Sequence, residues 1–447
     1  MARSGEMALG LYVLQAGYIE GAWRDPSVPK TGGVDIEHYA HLTALAEGAA
    51  FHFVFLPDSP SVVERDHADI ARAGRNDTFE PITLLSALSS KANNIGFVAT
   101  ATTTYHQPYH LARMIASLDH LSHGRAAWNI VTSGNKFEGA NFGDEEIPEH
   151  DARYERAREF VGVMKGLWDT WEDDAFIRDK QSGIFADTTK LHVLNHRGTY
   201  FSVRGPLNIA RPPQGYPVLV QAGSSDAGVR FAAEFAEVVF TAQPLLESGK
   251  QYYADLKEKA RGIGREDDQI LVMPGIVPIV GRTKQEASDK LKKLQSYTHA
   301  DVMTETADRW LGFVTDLRAV NLDSLVPATL PETKFIQSRQ KVLLEVAARQ
   351  GMTWRQLIRL ISDSRGHLMA VGTPNEIADI MINTFDQYAA DGFNLIPPIV
   401  PSGLKDFVEL VVPELRRRGK FRSGSSGRTL RENLGLKRPH NQSTRAA

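Results

Sequence analysis

Short apolar runs that alternate with helix-like segments constrain the fold of this chain more than any other feature of its sequence. The runs are apolar throughout, which is typical of parallel strands covered by helices. They occupy residues 7–18, 52–57, 95–102, 126–131, 216–223, 236–242, 269–281 and 392–400. Runs of this number, spread over the whole chain and separated by helical patterns, predict an α/β fold, namely a (β/α)8 TIM barrel with insertions in the βα loops.

Two of the helices have clear signals. Residues 151–171 carry apolar side chains at steps of three and four, which predicts a helix with one buried stripe. A later helix is expected to begin at Thr373 as its N-cap, with Pro374 at its first position and Glu376 completing a capping box. Both helices fit between strands of the predicted barrel.

Three segments depart from the alternation within what we interpret as one domain of residues 1–447. Residues 172–212 are irregular and residues 283–368 are mostly helical and polar, and we expect both to form lids or substrate walls above the active site. Residues 416–447 contain ten Lys and Arg against one acid, Glu432. We expect this basic C-terminal arm to be solvated and to wrap a neighbouring subunit.

Composition excludes several classes of function. Lys and Arg number 51 against 54 Asp and Glu, a net charge of −3 that favours neither nucleic acid nor a membrane surface as partner. The absence of cysteine excludes disulfides, thiolate nucleophiles and cysteine-bound metals, and it fits a reducing cytoplasm. No run of about 18 uninterrupted apolar residues occurs, so no membrane span is predicted. We therefore expect a cytoplasmic protein.

Polar residues recur where the predicted strands end, which is where barrel enzymes carry their active sites. These residues are Asp58, Thr103, Thr104, Asn129, Ser133, Ser224 and Ser225. Each could instead be a helix cap or a turn residue. Asn129 lies within an apolar strand, where an unpaired amide would cost roughly 1–3 kcal/mol. Its partner is either a backbone group or a bound ligand.

The stretch "QAGSSDAGVRFAAEF" is the best local signal for a ligand. Ser224 and Ser225 lie at a strand-to-helix junction, where free N–H groups and hydroxyls can hold a phosphate. A plain N-cap is the alternative. His150 and Tyr154 stand four residues apart at the start of a helix and share one face. They could contact a planar cofactor or form a surface pair.

Missing motifs narrow the choice of cofactor. The chain has no GxGxxG after a strand, no GxxxxGK[ST] and no GxSxG, so neither a dinucleotide site, a P-loop nor a serine hydrolase is indicated. No HxH occurs, and Pro108 between His106 and His110 disfavours a helical metal site. A phosphate site without a nucleotide-binding sheet indicates a mononucleotide such as FMN or a phosphorylated substrate, with no metal.

Several stretches in order along the chain resemble the bacterial-luciferase-like flavin monooxygenases, in the branch of the nitrilotriacetate, dibenzothiophene-sulfone and pristinamycin monooxygenases. They include "AAWNIVTS", "HDARYERAREF", "LWDTWEDDA", "RGPLNIARPPQGYPVLVQAGSS" and "RTLRENLGL". The resemblance implies a two-component system. A separate NAD(P)H-dependent flavin reductase would supply reduced FMN, and this chain would use it with dioxygen to oxygenate a small sulfone, aminopolycarboxylate or aromatic xenobiotic.

The resemblance also implies site residues and an assembly. Positions that match the family's flavin contacts are Asp58, Thr104, His150, Tyr154 and Ser225, with Ser224 adjacent. Asn129 would face the flavin ring, and with His150 it is the expected catalytic residue. A homodimer or homotetramer is the expected assembly.

One departure from the family, and several alternatives, stay open. Many members carry histidines ahead of "AWR", where this chain has Tyr18 and Glu20. A carboxylate substrate would call for arginines, of which Arg24, Arg204 and Arg211 are available. A deazaflavin-dependent dehydrogenase, a non-catalytic flavin-binding barrel and a metal-dependent hydrolase are the alternative functions.

Overall fold

Eight parallel strands form the barrel that the sequence predicts. The computed structural model describes residues 3–62, 70–143, 148–333 and 337–445. Each strand lies within one of the predicted apolar runs, and all but β4, which coincides with its run, are shorter than that run. The strands are β1 (Ala8–Tyr12), β2 (Phe53–Leu56), β3 (Gly96–Thr102), β4 (Ala126–Val131), β5 (Val218–Gln221), β6 (Val238–Thr241), β7 (Leu271–Val280) and β8 (Gly392–Leu395).

Parallel pairing runs around the barrel in chain order and closes it. β1 pairs with β2 on one side and with β8 on the other, where Gly10 lies opposite Asn394. β7 bridges β6 and β8. An additional strand, Leu368–Gly372, extends the sheet along the second half of β7. The (β/α)8 prediction is confirmed.

Helices cover the outside of this barrel. A π-helical turn, Phe407–Val411, joins the short helices Ser402–Asp406 and Val412–Arg417. The α-helices are α1 (Ile36–Gly48), α2 (Pro81–Ser89), α3 (Pro108–Leu121), α4 (Lys136–Ala140), α5 (His150–Trp168), α6 (Asp226–Phe235), α7 (Leu246–Arg261), α8 (Lys284–Tyr297), α9 (Ala300–Trp310), α10 (Gln337–Gln350), α11 (Trp354–Ser364), α12 (Pro374–Asp386), α13 (Ser402–Asp406), α14 (Val412–Arg417) and α15 (Leu430–Asn433).

Both helices with clear sequence signals form as predicted. In α5, Ala157, Val161 and Met164 are fully buried, so the stripe faces the core. At the start of α12, Thr373 caps the backbone N–H of Glu376, and the reciprocal bond of the capping box is present. Among the described residues, no helix has the length and apolar character to cross a membrane.

The two insertions lie at opposite ends of the barrel. Residues 283–368 follow β7 and contain α8 to α11, so they rise from the carboxyl end of the strands as expected. Residues 172–212 instead follow α5 and precede β5, which makes them an αβ connection at the amino end. There Arg211 pairs with Asp169 at 2.9 Å. The prediction that 172–212 emerges from a βα loop is wrong, because the segment follows a helix. Its residues 196–203 fold back along the outside of α5, where the Tyr200 hydroxyl lies 3.4 Å from Glu155.

The C-terminal arm closes the amino end of the barrel. Leu430, Leu434 and Leu436 are buried and pack into the same apolar cluster as the barrel interior. Arg431 is 2% exposed and donates to Glu237, with Nη2 2.9 Å from Oε2. The prediction of a solvated arm is wrong for this segment, because its leucines fill the barrel floor and its charge is paired within the chain.

Candidate active site

Asn129 lies inside the barrel at the carboxyl half of β4. Its neighbour on the adjacent strand β3 is Thr100, whose hydroxyl accepts a hydrogen bond from Asn129 Nδ2 at 2.9 Å. Asn129 is 3% exposed, and its Oδ1 has no hydrogen-bond partner in the described part of the chain. Buried amide oxygens are seldom left unpaired. The strand therefore holds an acceptor ready for a ligand.

A second amide of the barrel interior was missed by the sequence interpretation. Asn394 in β8 is fully buried, and neither of its side-chain polar atoms has a partner among the described residues. It lies opposite Gly10, where any side chain would collide with the Asn394 amide. The signal that drew attention to Asn129, an asparagine within an apolar run, was equally present here.

Thr104 lies in the turn that follows β3, and its position is fixed by the backbone. Its N–H donates to the Thr102 hydroxyl at 3.0 Å, and the Ser133 hydroxyl lies 2.9 Å from the same oxygen. Thr104 is half-buried. The turns after β3 and β4 are thus joined by hydroxyl contacts at the carboxyl end of the barrel.

Ser225, His150 and Tyr154 come together between α5 and α6. Ser225 is the N-cap of α6 and accepts from the Gly228 N–H at 3.1 Å, while His150 Nε2 lies 3.4 Å from its hydroxyl. The His150 and Tyr154 rings are 5.0 Å apart. Burial raises the pKa of Tyr154, although hydrogen bonds with Ser225 and Thr132 oppose this. This arrangement, here called the cradle, places hydroxyls and an imidazole at a helix N-terminus, which favours an anion.

Positive charge behind the cradle comes from Arg153, which the sequence interpretation did not select. Its guanidinium donates to the backbone carbonyls of Thr132 and Ser133 and so holds the turn after β4. Arg153 is 7% exposed, and its Nε has no hydrogen-bond partner within the described ranges. Ser224 is half-buried beside the cradle.

Asp58 lies on a cavity of about 310 Å³ at the carboxyl end of β1 and β2. Desolvation, with the Glu80 and Glu138 carboxylates, raises the pKa of Asp58 to about 7. Neighbouring Ser59 donates to Glu138 at 2.6 Å. The cavity wall also takes residues from α9, in the insertion that follows β7, including Glu305 and Arg309. This insertion therefore contributes to the wall of the cavity, while its role toward a substrate stays a prediction.

Tyr18 and Glu20, which stand where the resemblance would lead one to expect histidines, lie buried beside this cavity. The Arg365 guanidinium carbon is 4.1 Å from the centroid of the Tyr18 ring. Glu20 binds Arg365 Nη2 and Arg75 Nε, each at 2.6 Å. Burial alone would raise the pKa of Glu20, but Arg75, Arg365 and Arg309 outweigh it and lower the pKa to about 2. Glu20 is a fixed anion.

A histidine does reach this region, from a different part of the chain. His367 follows α11, stacks on Phe240 at 5.1 Å and meets the Tyr18 ring at 5.8 Å. Burial lowers the pKa of His367 well below its usual value, and Arg339 and Arg365 add to the shift. Its Nδ1 has no hydrogen-bond partner in the described chain. No sequence signal marks it, because its place depends on the insertion.

The structure thus brings His150, Tyr154 and Ser225 into one cluster, and places Thr104 and Asn129 on adjacent turns and strands. Asp58 belongs to the cavity instead. The three arginines available for a carboxylate do not line that cavity: Arg24 donates to the Tyr297 carbonyl, Arg204 to that of Gly205, and Arg211 pairs with Asp169. Within the described ranges, no three His, Asp or Glu side chains group as metal ligands.

Comparison with known proteins finds relatives that cover almost the whole chain. Residues 22–391 match the luciferase-like monooxygenases. The chain is 45% identical to N-acetyl-S-(2-succino)cysteine monooxygenase of Bacillus subtilis strain 168, over 99% of both chains. It is 44% identical to nitrilotriacetate monooxygenase component A of Aminobacter aminovorans, again over 99% of both.

A solved structure of similar shape carries a flavin derivative. The crystal structure of a riboflavin lyase with modified FMN and riboflavin superposes on this chain with a TM-score of 0.87 and 31% identity. The match covers 97% of each chain. The barrel, the insertions and the arm are therefore aligned over almost their whole length.

Proposed function

Because the chain belongs to the luciferase-like monooxygenase family, we propose that it is the oxygenating component of a two-component system that uses reduced FMN and dioxygen on a small organic substrate. A separate NAD(P)H-dependent flavin reductase would supply the reduced FMN. When bound, reduced FMN supplies two electrons, so that one oxygen atom enters the substrate and the other leaves as water. The relative named as a component A supports the division into two proteins.

The observation that carries this proposal is the unpaired Oδ1 of Asn129. The amide is held by Thr100, and its oxygen lies buried in the barrel interior without a partner among the described residues, so it can accept from a ring N–H. A flavin presents such N–H groups together with a phosphate. Asn129 would orient the ring, and as the proposed catalytic residue it would do so next to the reacting atoms.

The cradle fits the other end of FMN. Ser225, His150 and Tyr154 offer two hydroxyls and an imidazole at the N-terminus of α6, and Arg153 adds positive charge nearby. These groups would hold the phosphate, with Ser224 and Thr104 beside it. The cradle follows β5 rather than β7 or β8, where TIM barrels commonly bind phosphate, so the anion-binding groups themselves favour FMN over an unphosphorylated flavin.

We assign proton transfer and the exclusion of water to the residues that line the cavity. Asp58 has a pKa of about 7 and can give or take a proton near neutrality. The insertion after β7 covers the cavity with α9. Exclusion of water keeps the oxygen chemistry coupled to the substrate and limits loss as hydrogen peroxide.

The test begins with binding and proceeds to turnover. The purified chain is titrated anaerobically with reduced FMN, and then dioxygen uptake is followed with an unrelated flavin reductase and a sulfone, an aminopolycarboxylate or a chlorinated phenol. We expect tight binding of reduced FMN, and one compound that gains oxygen while hydrogen peroxide falls. Failure to bind reduced FMN would overturn the proposal. Turnover without dioxygen uptake would favour the deazaflavin-dependent alternative.

A further inference from the structure

Guanidinium groups outnumber carboxylates on the Glu20 side of the cavity. Arg75 and Arg309 line the cavity itself. Arg365 is 1% exposed behind them, and Arg339 donates to the Arg365 carbonyl. Together these four residues are called the arginine cluster. Burial, with the Arg365 charge, lowers the pKa of Arg75 to about 10, and burial also lowers the pKa of Arg309 and of Arg339.

Glu20 does not neutralise the cluster, because two arginines already occupy its two oxygens. Arg365 takes Oε1 and Arg75 takes Oε2, each at 2.6 Å. Arg309 is left with a contact of 3.8 Å to Oε1. Its Nε is buried and has no hydrogen-bond partner among the described residues. The Arg309 side chain is 26% exposed, on the cavity side.

The second acid of this region, Glu305, is shared with a further arginine. Its Oε2 lies 3.9 Å from Arg318, outside the cluster. Among the residues that the structure describes, four guanidinium groups against Glu20 and Glu305 leave two positive charges, even without Arg318. Asp58 also lines the cavity, and with its carboxylate included the described groups still leave one positive charge. An uncompensated excess of buried charge destabilises a fold unless a bound ligand of opposite charge neutralises that excess.

We propose that this cavity binds a small substrate with at least two carboxylate groups, held by Arg309 and Arg75. Glu20 and Arg365 act as positioning residues. Glu20 holds Arg75 Nε, and Arg365 binds both Glu20 and the Tyr18 carbonyl that also accepts from Arg75. The planar guanidinium of Arg309 matches a carboxylate through two parallel hydrogen bonds, which a lysine could not offer. Arg75 has Nε on Glu20 and Nη2 on the Tyr18 carbonyl, so it adds its Nη1. The proposal names the substrate class of the proposed function and rests on it.

Size and position limit the substrate further. A cavity of about 310 Å³ lies at the small end of ligand pockets, which span roughly 300–1,000 Å³. It also adjoins Asp58, a residue that matches the family's flavin contacts. A compact di- or tricarboxylate would therefore fit with its charged end on the arginine cluster and another part toward the flavin.

Binding without flavin tests the proposal separately from turnover. Propane-1,2,3-tricarboxylate and its trimethyl ester are titrated by calorimetry into the intact chain, into Arg309→Gln and into Arg282→Gln. Arg282 is an exposed arginine outside the cavity and serves as the control. We expect the acid to bind and the ester not to bind. The Arg309→Gln variant should bind the acid about tenfold to one hundredfold more weakly than the wild type. Higher salt should weaken the wild-type complex.

Equal affinity of acid and ester, or of folded Arg309→Gln and wild type, would overturn the carboxylate site. If circular dichroism shows that Arg309→Gln is unfolded, Arg309→Lys replaces it, with weaker binding of the acid again expected from loss of the paired hydrogen bonds. Reduced FMN is titrated in parallel. A chain that binds the acid through Arg309 but does not bind reduced FMN would retain this site and refute the proposed function.

Discussion

Asn129 donates to Thr100 across two neighbouring strands at 2.9 Å, and this bond turns the amide so that its oxygen stays free inside the barrel. The donor side of the amide is satisfied by the fold, while the acceptor side is left for a ligand. A purely structural amide would have both sides satisfied. The pair therefore links the packing of β3 and β4 to cofactor binding.

Replacing Asn129 with Ala should weaken the binding of reduced FMN about three- to tenfold, because a neutral hydrogen bond contributes about 0.5–1.5 kcal/mol. Anaerobic fluorescence titration measures this. Asn383→Ala, an exposed change on α12, is the control and should leave the affinity unchanged. Wild-type affinity in folded Asn129→Ala would contradict the role assigned to this amide.

Replacing Ser225 with Ala should weaken the binding of FMN but not the binding of riboflavin, because only FMN carries the phosphate that the cradle would hold. Loss of the N-cap should also cost about 1 kcal/mol of stability. Thr373→Ala removes the N-cap of α12 at a comparable cost and should spare both ligands. Flavin titrations and urea unfolding of the two variants separate the effects. Parallel loss of FMN and riboflavin affinity would argue against a phosphate site.

Stability should respond to pH through Asp58. Its pKa is raised from 3.8 to about 7, so between about pH 4 and 7 the folded chain holds a proton that the unfolded chain has released. Stability from this group therefore falls as pH rises through that window. Asp58→Asn should gain stability over wild type at pH 8 and little at pH 4, as measured by urea unfolding. Asp268→Asn, at an exposed site, should show no such trend.

Removing the floor of the barrel should destabilise the whole chain. Leu430 is 1% exposed within the interior cluster, so Leu430→Ala should cost about 2–5 kcal/mol. Leu325 is 68% exposed, and Leu325→Ala should change stability by no more than about 0.5 kcal/mol. Guanidinium unfolding curves give both values. Matching midpoints would show that the arm does not support the barrel.

Local patterns allowed the eight strands, the cap of α12 and Ser225 to be predicted. In each case the cause lies within a few neighbouring residues, whether apolar runs or a capping side chain. Asn129 was found because an asparagine in an apolar run needs a partner. Asn394 carries the same signal, and β8 could have been interpreted in the same way.

The arginine cluster could not be predicted in this way. Arg75, Arg309 and Arg365 come from separate loops and helices, and only the folded barrel brings them to Glu20. Burial of the C-terminal arm likewise depends on the open end of a barrel formed by distant strands. Charge counts along the chain indicated solvent exposure there, whereas Arg431 is paired with Glu237.

The leucines that fill the barrel floor follow all eight strands in the chain. During synthesis the ribosome therefore delivers the strands before it delivers the residues that complete their interior. A nascent chain with every strand emerged would still expose apolar surface at one end of the sheet. Completion of the barrel core therefore waits until this segment has emerged, and until then chaperones that bind exposed apolar surface would find a target.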